Sequence, residues 1–364
     1  MRFVEESGLW TSGPAPAPVP LTAVLEVAGA VLSWPVHDPD SDVHIALTDL
    51  ARADWLWRVA GERGHDAIAR ALEAAAADPG SAGVDVEDVT LDGTALAPLR
   101  RLALGHWLRR WWPASSRDGI AELDPAILAG ELALLTTAAQ AYFADDTFDS
   151  DVAALLRPHI ALLEAQAALG DPRIGEIARA CTELAQDVGA GVAVAPVRTE
   201  RRDDYALVAG DGRTGTTGSG IAAGVASVSW TAVPAGIFDA AEDTVDWRVE
   251  SDGAAVGVVV RAELAGPGSP VGIAVRVSAG ELGGSGLLDA TGAVTIPLYD
   301  DLGAPVTESV AWSRDWRDTI VTVGVGAPEP AQVRQQVRTM VRGRLRRPGP
   351  DAFLAELLAA EADY

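Results

Sequence analysis

Lysine and asparagine are both missing from this 364-residue chain, so all 28 of its basic residues are arginine. Without lysine there is no phosphate-loop lysine, no Schiff-base nucleophile and no kinase-type lysine. Without asparagine there is no Asn-linked glycan. The codons for both residues are A-rich, which points to a genome rich in G and C. A single cysteine, Cys181, excludes an intrachain disulfide framework and any cysteine-cluster metal site. No apolar run approaches membrane-spanning length without Gly, Pro or a charge. The segment Met1 to Ser7 has no basic stretch leading into an apolar one, so no signal peptide is expected and the chain reads as cytoplasmic.

What is present argues for folded domains. Hydrophobic residues make up 48% of the chain and 11 are tryptophan, which is incompatible with disorder over most of its length. The 52 acidic residues give a formal net charge of −24. Residues 1–190 carry 29 acids and 13 arginines, 191–327 carry 18 and 9, and 328–364 carry 5 and 6. A field this negative opposes nonspecific binding to nucleic acid or anionic membrane and favours solubility.

The pattern predicts a multidomain α+β chain. Residues 1–190 read as an α-rich domain with a small N-terminal sheet. Leu21 to Val36 is one strand bent at Gly29, or two, and Val84–Leu91 is a further strand. Helical periodicity runs from about Ala51 to Ala77, with Gly61 and Gly64 as possible breaks, and from Leu99 to Trp112. Residues 120–190 are helical, with Asp124-Pro125 and Asp171-Pro172 each a cap followed by proline at the first helical position. Asp149 or Ser150 opens a helix between them, running to Ala168. At Gly189 the composition turns to Val, Thr, Ser and Gly in short alternating runs: Val225–Val233, Val245–Glu250, Ala255–Leu264, Val271–Val277, Val294–Leu298 and Ile320–Val325. Residues 191–327 therefore read as an Ig-like β-sandwich. Residues 328–364 read as a two-helix amphipathic tail, 331–346 and 351–361, around Pro348-Gly349-Pro350.

No catalytic or cofactor-binding constellation emerges. Asp38, Asp40, Asp42 and Asp49 imitate the first, third, fifth and twelfth positions of a calcium loop. Val43, however, stands where the turn needs glycine, and the flanks look like strands. The cluster Asp145 to Asp151 could hold a cation, but it lies where one helix ends and the next begins, as capping requires. Gly210 to Gly215 matches the dinucleotide-loop spacing without the helix that would face a pyrophosphate. No G-x-S-x-G elbow is present, and Cys181 lies on an apolar helical stripe where a thiolate is disfavoured. Arg109 and Arg110 beside Trp107 and Trp111 suggest a solvent-facing basic edge over a buried aromatic stripe. On the tail helix Val333, Val337, Met340, Val341 and Leu345 form an apolar face flanked by arginines. That face docks on the acidic first domain or on a partner. The partner-binding candidates are Arg334, Val337, Arg338, Val341, Arg342 and Leu345.

Two stretches, Leu287-Leu288-Asp289-Ala290-Thr291-Gly292-Ala293-Val294-Thr295-Ile296-Pro297-Leu298 and Arg347-Pro348-Gly349-Pro350-Asp351-Ala352-Phe353-Leu354-Ala355-Glu356-Leu357-Leu358, resemble uncharacterised proteins of high-G+C bacteria. Those proteins accompany CHAT-type caspase-like proteases and extracytoplasmic-function sigma factors. The resemblance implies a substrate, adaptor or regulator of such a protease. The expectation is therefore a non-catalytic adaptor that binds a protein partner, with no cofactor, no membrane and no nucleic acid. The alternative is a hydrolase or metal-dependent enzyme using the acidic clusters.

Overall fold

A computed structural model describes residues 1–38, 40–77, 83–143, 151–189, 219–251, 253 and 255–362. It is a mixture of helices and antiparallel sheets. The chain begins with strands β1 (Arg2–Glu6), β2 (Leu9–Ser12), β3 (Thr22–Val27), β4 (Ala30–Pro35) and β5 (His44–Leu47). Leu21 to Val36 is thus two strands, with Val27 opposite Ala30 across a short turn at Ala28-Gly29. Alternation sets their faces, because Ala23, Leu25 and Val27 point inward while Val24 and Glu26 point out.

Helix α1 (Trp57–Ala76) follows. Gly61 kinks it, with φ of 73° and ψ of 159°, a conformation that side-chain-bearing residues rarely adopt. Gly64 instead stays helical and lies against Val89. Strand β6 (Gly83–Asp85) is shorter than the expected Val84–Leu91. Helix α2 (Gly93–Trp111) begins six residues before the expected Leu99, because the Asp92 carboxylate caps it by accepting the Thr94 N–H at 2.8 Å. The first six strands form one antiparallel sheet in the order β3-β4-β5-β2-β1-β6.

Helix α3 (Pro125–Phe143) opens on Asp124, whose Oδ1 accepts the N–H groups of Ala126 and Ile127, both at 2.9 Å. Among the described residues it is the one helix long and apolar enough to cross a membrane, yet most of it is buried. It touches α2 and the next three helices, α4 (Val152–Leu156), α5 (Ile160–Ala167) and α6 (Pro172–Asp187). The single helix expected up to Ala168 is two, because Pro158 lacks the N–H that a continuous helix requires. Asp151 caps the first of them and Asp171 caps α6.

Strands β7 (Ser219–Ala226), β8 (Val245–Ser251), β9 (Val256–Ala262), β10 (Ala274–Ala279), β11 (Leu282–Leu287), β12 (Ala293–Pro297) and β13 (Ile320–Val323) make two antiparallel sheets. Their orders are β12-β9-β8-β7 and β11-β10-β13, with helix α7 (Glu308–Ser313) before the last strand. The inward residues of β8 and β9 alternate without a break and share one core with Val275, Val277, Ile296, Val321 and Val323. The run expected as a strand over 225–233 ends at Ala226. Beyond it Ser229, Trp230 and Thr231 wrap around the buried Glu329 carboxylate. Both oxygens accept bonds there: from the Trp230 N–H and Ser229 hydroxyl at 2.8 Å, and from the Thr231 N–H at 3.1 Å and its hydroxyl at 2.8 Å.

Strand β11 contains Gly283-Gly284, a pair that reads as a turn in the sequence. A side chain on Gly284 would meet the Pro297 carbonyl at 2.4 Å and Ile296 at 2.6 Å, so this strand needs glycine where the other sheet crosses it closely.

The chain closes with α8 (Ala331–Arg346) and α9 (Leu354–Ala362). Two compact units result: unit 1 is Met1–Trp112, Ala121–Val192 and Pro330–Tyr364, and unit 2 is Pro113–Ile120 and Ala193–Glu329. The tail expected as a third domain therefore belongs to unit 1. Residues 113–120 belong to unit 2, where Asp239 accepts the Ser116 N–H at 2.9 Å and Arg117 pairs with Glu263.

The tail is locked by Phe353, which is fully buried. Its ring fills a notch that exists because residue 105 has no side chain. A Cβ there would stand 2.7 Å from the Phe353 ring and 2.5 Å from Leu132 of α3.

Two outcomes follow from this packing. Gly284→Val should destabilise unit 2 by about 1–3 kcal/mol through overpacking, read as a lower urea midpoint. The second concerns Glu329. Burial alone would raise its pKa, but the bonds from Trp230, Ser229 and Thr231 outweigh burial and hold it below the ordinary glutamate value. A carboxyl whose folded pKa is depressed stabilises above its unfolded value and loses that contribution as pH falls through the folded one. The stability of the wild type over Glu329→Gln should thus be full near neutrality and shrink in acid, measured by urea unfolding at stepped pH.

Candidate functional site

Unit 1 holds a cleft of about 1320 Å³. Three elements build it. Met340, Gly343 and Arg344 follow i, i+3, i+4 spacing, so they form one face near the C-terminal end of α8, and Arg347, just past that end, joins them in the lining. Leu96, Ala97, Arg100, Arg101 and Leu104 form one face of α2. The sheet and its loops supply Val4, Thr11, Trp34, Asp40, Asp42 and His44.

The wall from the tail is held by charge. Arg344 forks onto Glu356, with Nε to Oε1 at 2.6 Å and Nη2 to Oε2 at 2.8 Å, and reaches Asp351 at 3.1 Å. Burial works against the guanidinium charge, but these carboxylates hold it firmly protonated. Glu356 is 1% exposed and also accepts the Phe353 N–H at 3.0 Å, closing the first turn of α9. Glu131 of α3 accepts the Ala355 N–H at 3.4 Å and lies 3.6 Å from Arg101, whose guanidinium sits 5.0 Å over the Phe353 ring. Burial pushes the Glu131 carboxyl up, against the pull of the Leu354 and Ala355 N–H groups and Arg101. At the far end of α9, Arg173 forks onto Glu361 at 2.7 and 2.8 Å while holding Asp171, which keeps both carboxyls below their ordinary range.

His44, on β5, is 8% exposed, and its Nδ1 has no partner among the described residues. Burial lowers its pKa, against Glu6 and a hydrogen bond to the Pro14 carbonyl. Thr11 donates to the Val4 carbonyl at 3.2 Å and Ser41 to the Asp42 carbonyl at 3.4 Å. Among the described residues no hydroxyl is hydrogen-bonded to an imidazole. Away from the cleft, burial pushes His106 down to about 4 with help from Arg109, and pushes the Cys181 thiol up to about 11. The first is a neutral imidazole and the second a protonated thiol at neutral pH.

The residues singled out from the sequence fall in different places. Asp38 accepts the Asp40 N–H at 3.1 Å and Asp49 accepts the Ala51 N–H at 3.0 Å, so both are occupied in local turns. Asp40 and Asp42 line the cleft, but no group of three potential metal ligands is gathered among the described residues. Asp151 is a cap; the rest of its cluster, 145–150, and the glycine loop 210–215 lie outside the described residues. Trp107 is buried and donates to the Pro20 carbonyl, while Arg109 is exposed.

The partner face expected on α8 needs correction. Val337 and Val341 are fully buried, Arg334, Arg338 and Leu345 are buried, and Arg342 is half-buried. The cleft is lined instead by Met340, expected on the apolar face, by Gly343, and by Arg344 and Arg347 from among the flanking arginines. Nothing local in the sequence joins positions 44, 100 and 344.

Glu356→Ala strands Arg344 in the interior and should destabilise unit 1 by about 3–5 kcal/mol. Arg344→Met combined with Glu356→Leu should recover the larger part of that loss, compared by urea unfolding.

Comparison with known proteins finds no match among family models, curated proteins or solved structures.

Proposed function

We propose that this chain is a non-catalytic adaptor of a cytoplasmic bacterial system, and that it takes a protein partner in the cleft of unit 1. The observation that carries the reading is the state of the charged groups there. Arg344, Arg101 and Asp351 are committed to one another or to Glu356 and Glu131, as in a recognition surface with fixed donors. A cleft of about 1320 Å³ also exceeds the roughly 300–1,000 Å³ of a small-molecule pocket and suits a segment of polypeptide. Unit 2, two sheets around one core, is read as an Ig-like sandwich serving as a second interaction module. Its first three described strands are neighbours in one sheet, a meander that departs from constant-type Ig order.

The resemblance around Leu287–Leu298 and Arg347–Leu358 directs the choice of partner to a CHAT-type caspase-like protease or an extracytoplasmic-function sigma factor. The test is co-purification of either candidate with the intact chain and with Ala97→Trp. Residue 97 is exposed and lines the cleft, so the indole fills it without entering the core. A candidate retained by the wild type and released by the variant supports the adaptor reading. Retention of neither candidate by the wild type, or equal retention by both forms, overturns it.

A further inference from the structure

We propose that unit 2 docks a basic, apolar-faced helix of a protein partner on its hairpin 299–305, with Leu302 as the anchor and Asp301 beside it. The proposal rests on the reading of unit 2 as an interaction module, and names its surface and the chemistry of what that surface takes.

Unit 2 builds one kind of turn twice. Asp289-Ala290-Thr291-Gly292-Ala293 and Asp300-Asp301-Leu302-Gly303-Ala304 share the pattern Asp-x-x-Gly-Ala. In the first, the Asp289 Oδ1 accepts the N–H groups of Thr291 at 2.8 Å and Ala293 at 3.1 Å. In the second, the Asp300 Oδ1 accepts those of Leu302 at 3.0 Å and Ala304 at 2.7 Å. Both are also closed by the same two backbone bonds, Gly N–H to Asp carbonyl and Asp N–H to Ala carbonyl. They differ at the third position. Thr291 turns its hydroxyl back onto Asp289 at 2.7 Å, whereas Leu302 is 88% exposed, more than any other large apolar side chain among the described residues. Packing runs the opposite way. A Cβ on Gly292 would meet the Ala262 carbonyl at 2.7 Å, so the first turn lies against the unit, but one on Gly303 would meet nothing within 4 Å. The turn that stands clear thus carries the apolar tip, where folding gains nothing from it.

An isolated exposed leucine needs no explanation. Here, of the seventeen large apolar side chains exposed among the described residues, four fall within the fourteen positions 299–312: Tyr299, Leu302, Val310 and Trp312. Because the turn is already fixed by its own hydrogen bonds, docking Leu302 costs little conformational entropy. Charge selects the occupant. From 277 to 313 the sequence has no basic residue and five acids, Glu281, Asp289, Asp300, Asp301 and Glu308. Asp301 is exposed and, among the described residues, enters no ion pair. The complementary surface is therefore apolar at its centre and basic at its rim. A leucine knob fits the hole between four side chains of a helix, so an amphipathic helix with Lys or Arg beside its apolar stripe supplies both. The same acids disfavour an anionic membrane.

The test is fluorescence anisotropy of the full-length protein with two labelled helical peptides that carry leucine at i, i+3, i+4 and i+7 spacing, one with lysine and one with glutamate elsewhere. The lysine peptide should bind, and Leu302→Ser and Asp301→Arg should each weaken it by at least about tenfold. Both positions are exposed, so the fold stays intact, checked by an unchanged urea midpoint. Leu169→Ser removes a leucine of unit 1 that is 86% exposed, and should leave binding unchanged. Equal binding by Leu302→Ser, an equal loss with Leu169→Ser, preference for the glutamate peptide, or no binding of either peptide would overturn the inference. Self-association in sedimentation velocity that Leu302→Ser abolishes would hand the anchor to a second copy of the chain, and Leu302-dependent binding to phosphatidylcholine vesicles would hand it to a membrane. Either result overturns the assignment to a partner helix. None of these outcomes touches the cleft of unit 1, where the adaptor reading rests on the co-purification result.

Discussion

Unit 1 depends on one steric fact: residue 105 has no side chain, and the ring of Phe353 occupies the space. Leu132 closes the notch from α3, Arg101 covers the ring, and Glu131 receives the first turn of α9. Because the ring comes from the last segment of the chain, the tail is part of the core of unit 1. The C-terminal end of α8 is then presented beside α2 and the sheet, and only that placement creates the cleft. The cleft and the packing of the tail are therefore one structural property.

The absence of lysine acquires a physical meaning at the same place. The contacts that fix the tail are forks: Arg344 engages both oxygens of Glu356, and Arg173 engages both oxygens of Glu361 while also gripping Asp171. A guanidinium makes two parallel bonds to a carboxylate and keeps its charge when buried. An ammonium is a point charge that loses its proton more readily on burial. The Arg173 site is partly exposed and so contributes direction more than stability. The Arg344 site is buried and supports the cleft wall.

Much of the local structure was legible. Asp124 and Asp171 announce helices because a short carboxylate ahead of a helical run has few other uses, whereas the helix expected to open on Asp149 or Ser150 is capped by Asp151. The strands β8 and β9 are readable because their valines alternate strictly. Legibility ended where a residue answers to a distant neighbour. Gly283-Gly284 reads as a turn, and only the crossing backbone at Pro297 makes it strand. Ser229 to Thr231 reads as strand, and only Glu329, a hundred residues later, makes it a wrapped loop. The amphipathic stripe of α8 was readable as a stripe, but an apolar face looks the same whether its own chain or another covers it. The cleft was invisible for the same reason, since its parts lie at both ends of the sequence.

The larger part of unit 2, Ala193–Glu329, is inserted in the sequence of unit 1 between α6 and α8, and Pro113–Ile120 comes from between α2 and α3. That order imposes a timetable on synthesis. The inserted unit has its whole sequence outside the ribosome while unit 1 still lacks Phe353, so for that interval the notch at Gly105 is open and the apolar flanks of α2 and α3 are uncovered. A chain cut between Glu329 and Phe353 has one finished unit and one exposed apolar groove, the kind of surface that chaperones and proteases bind.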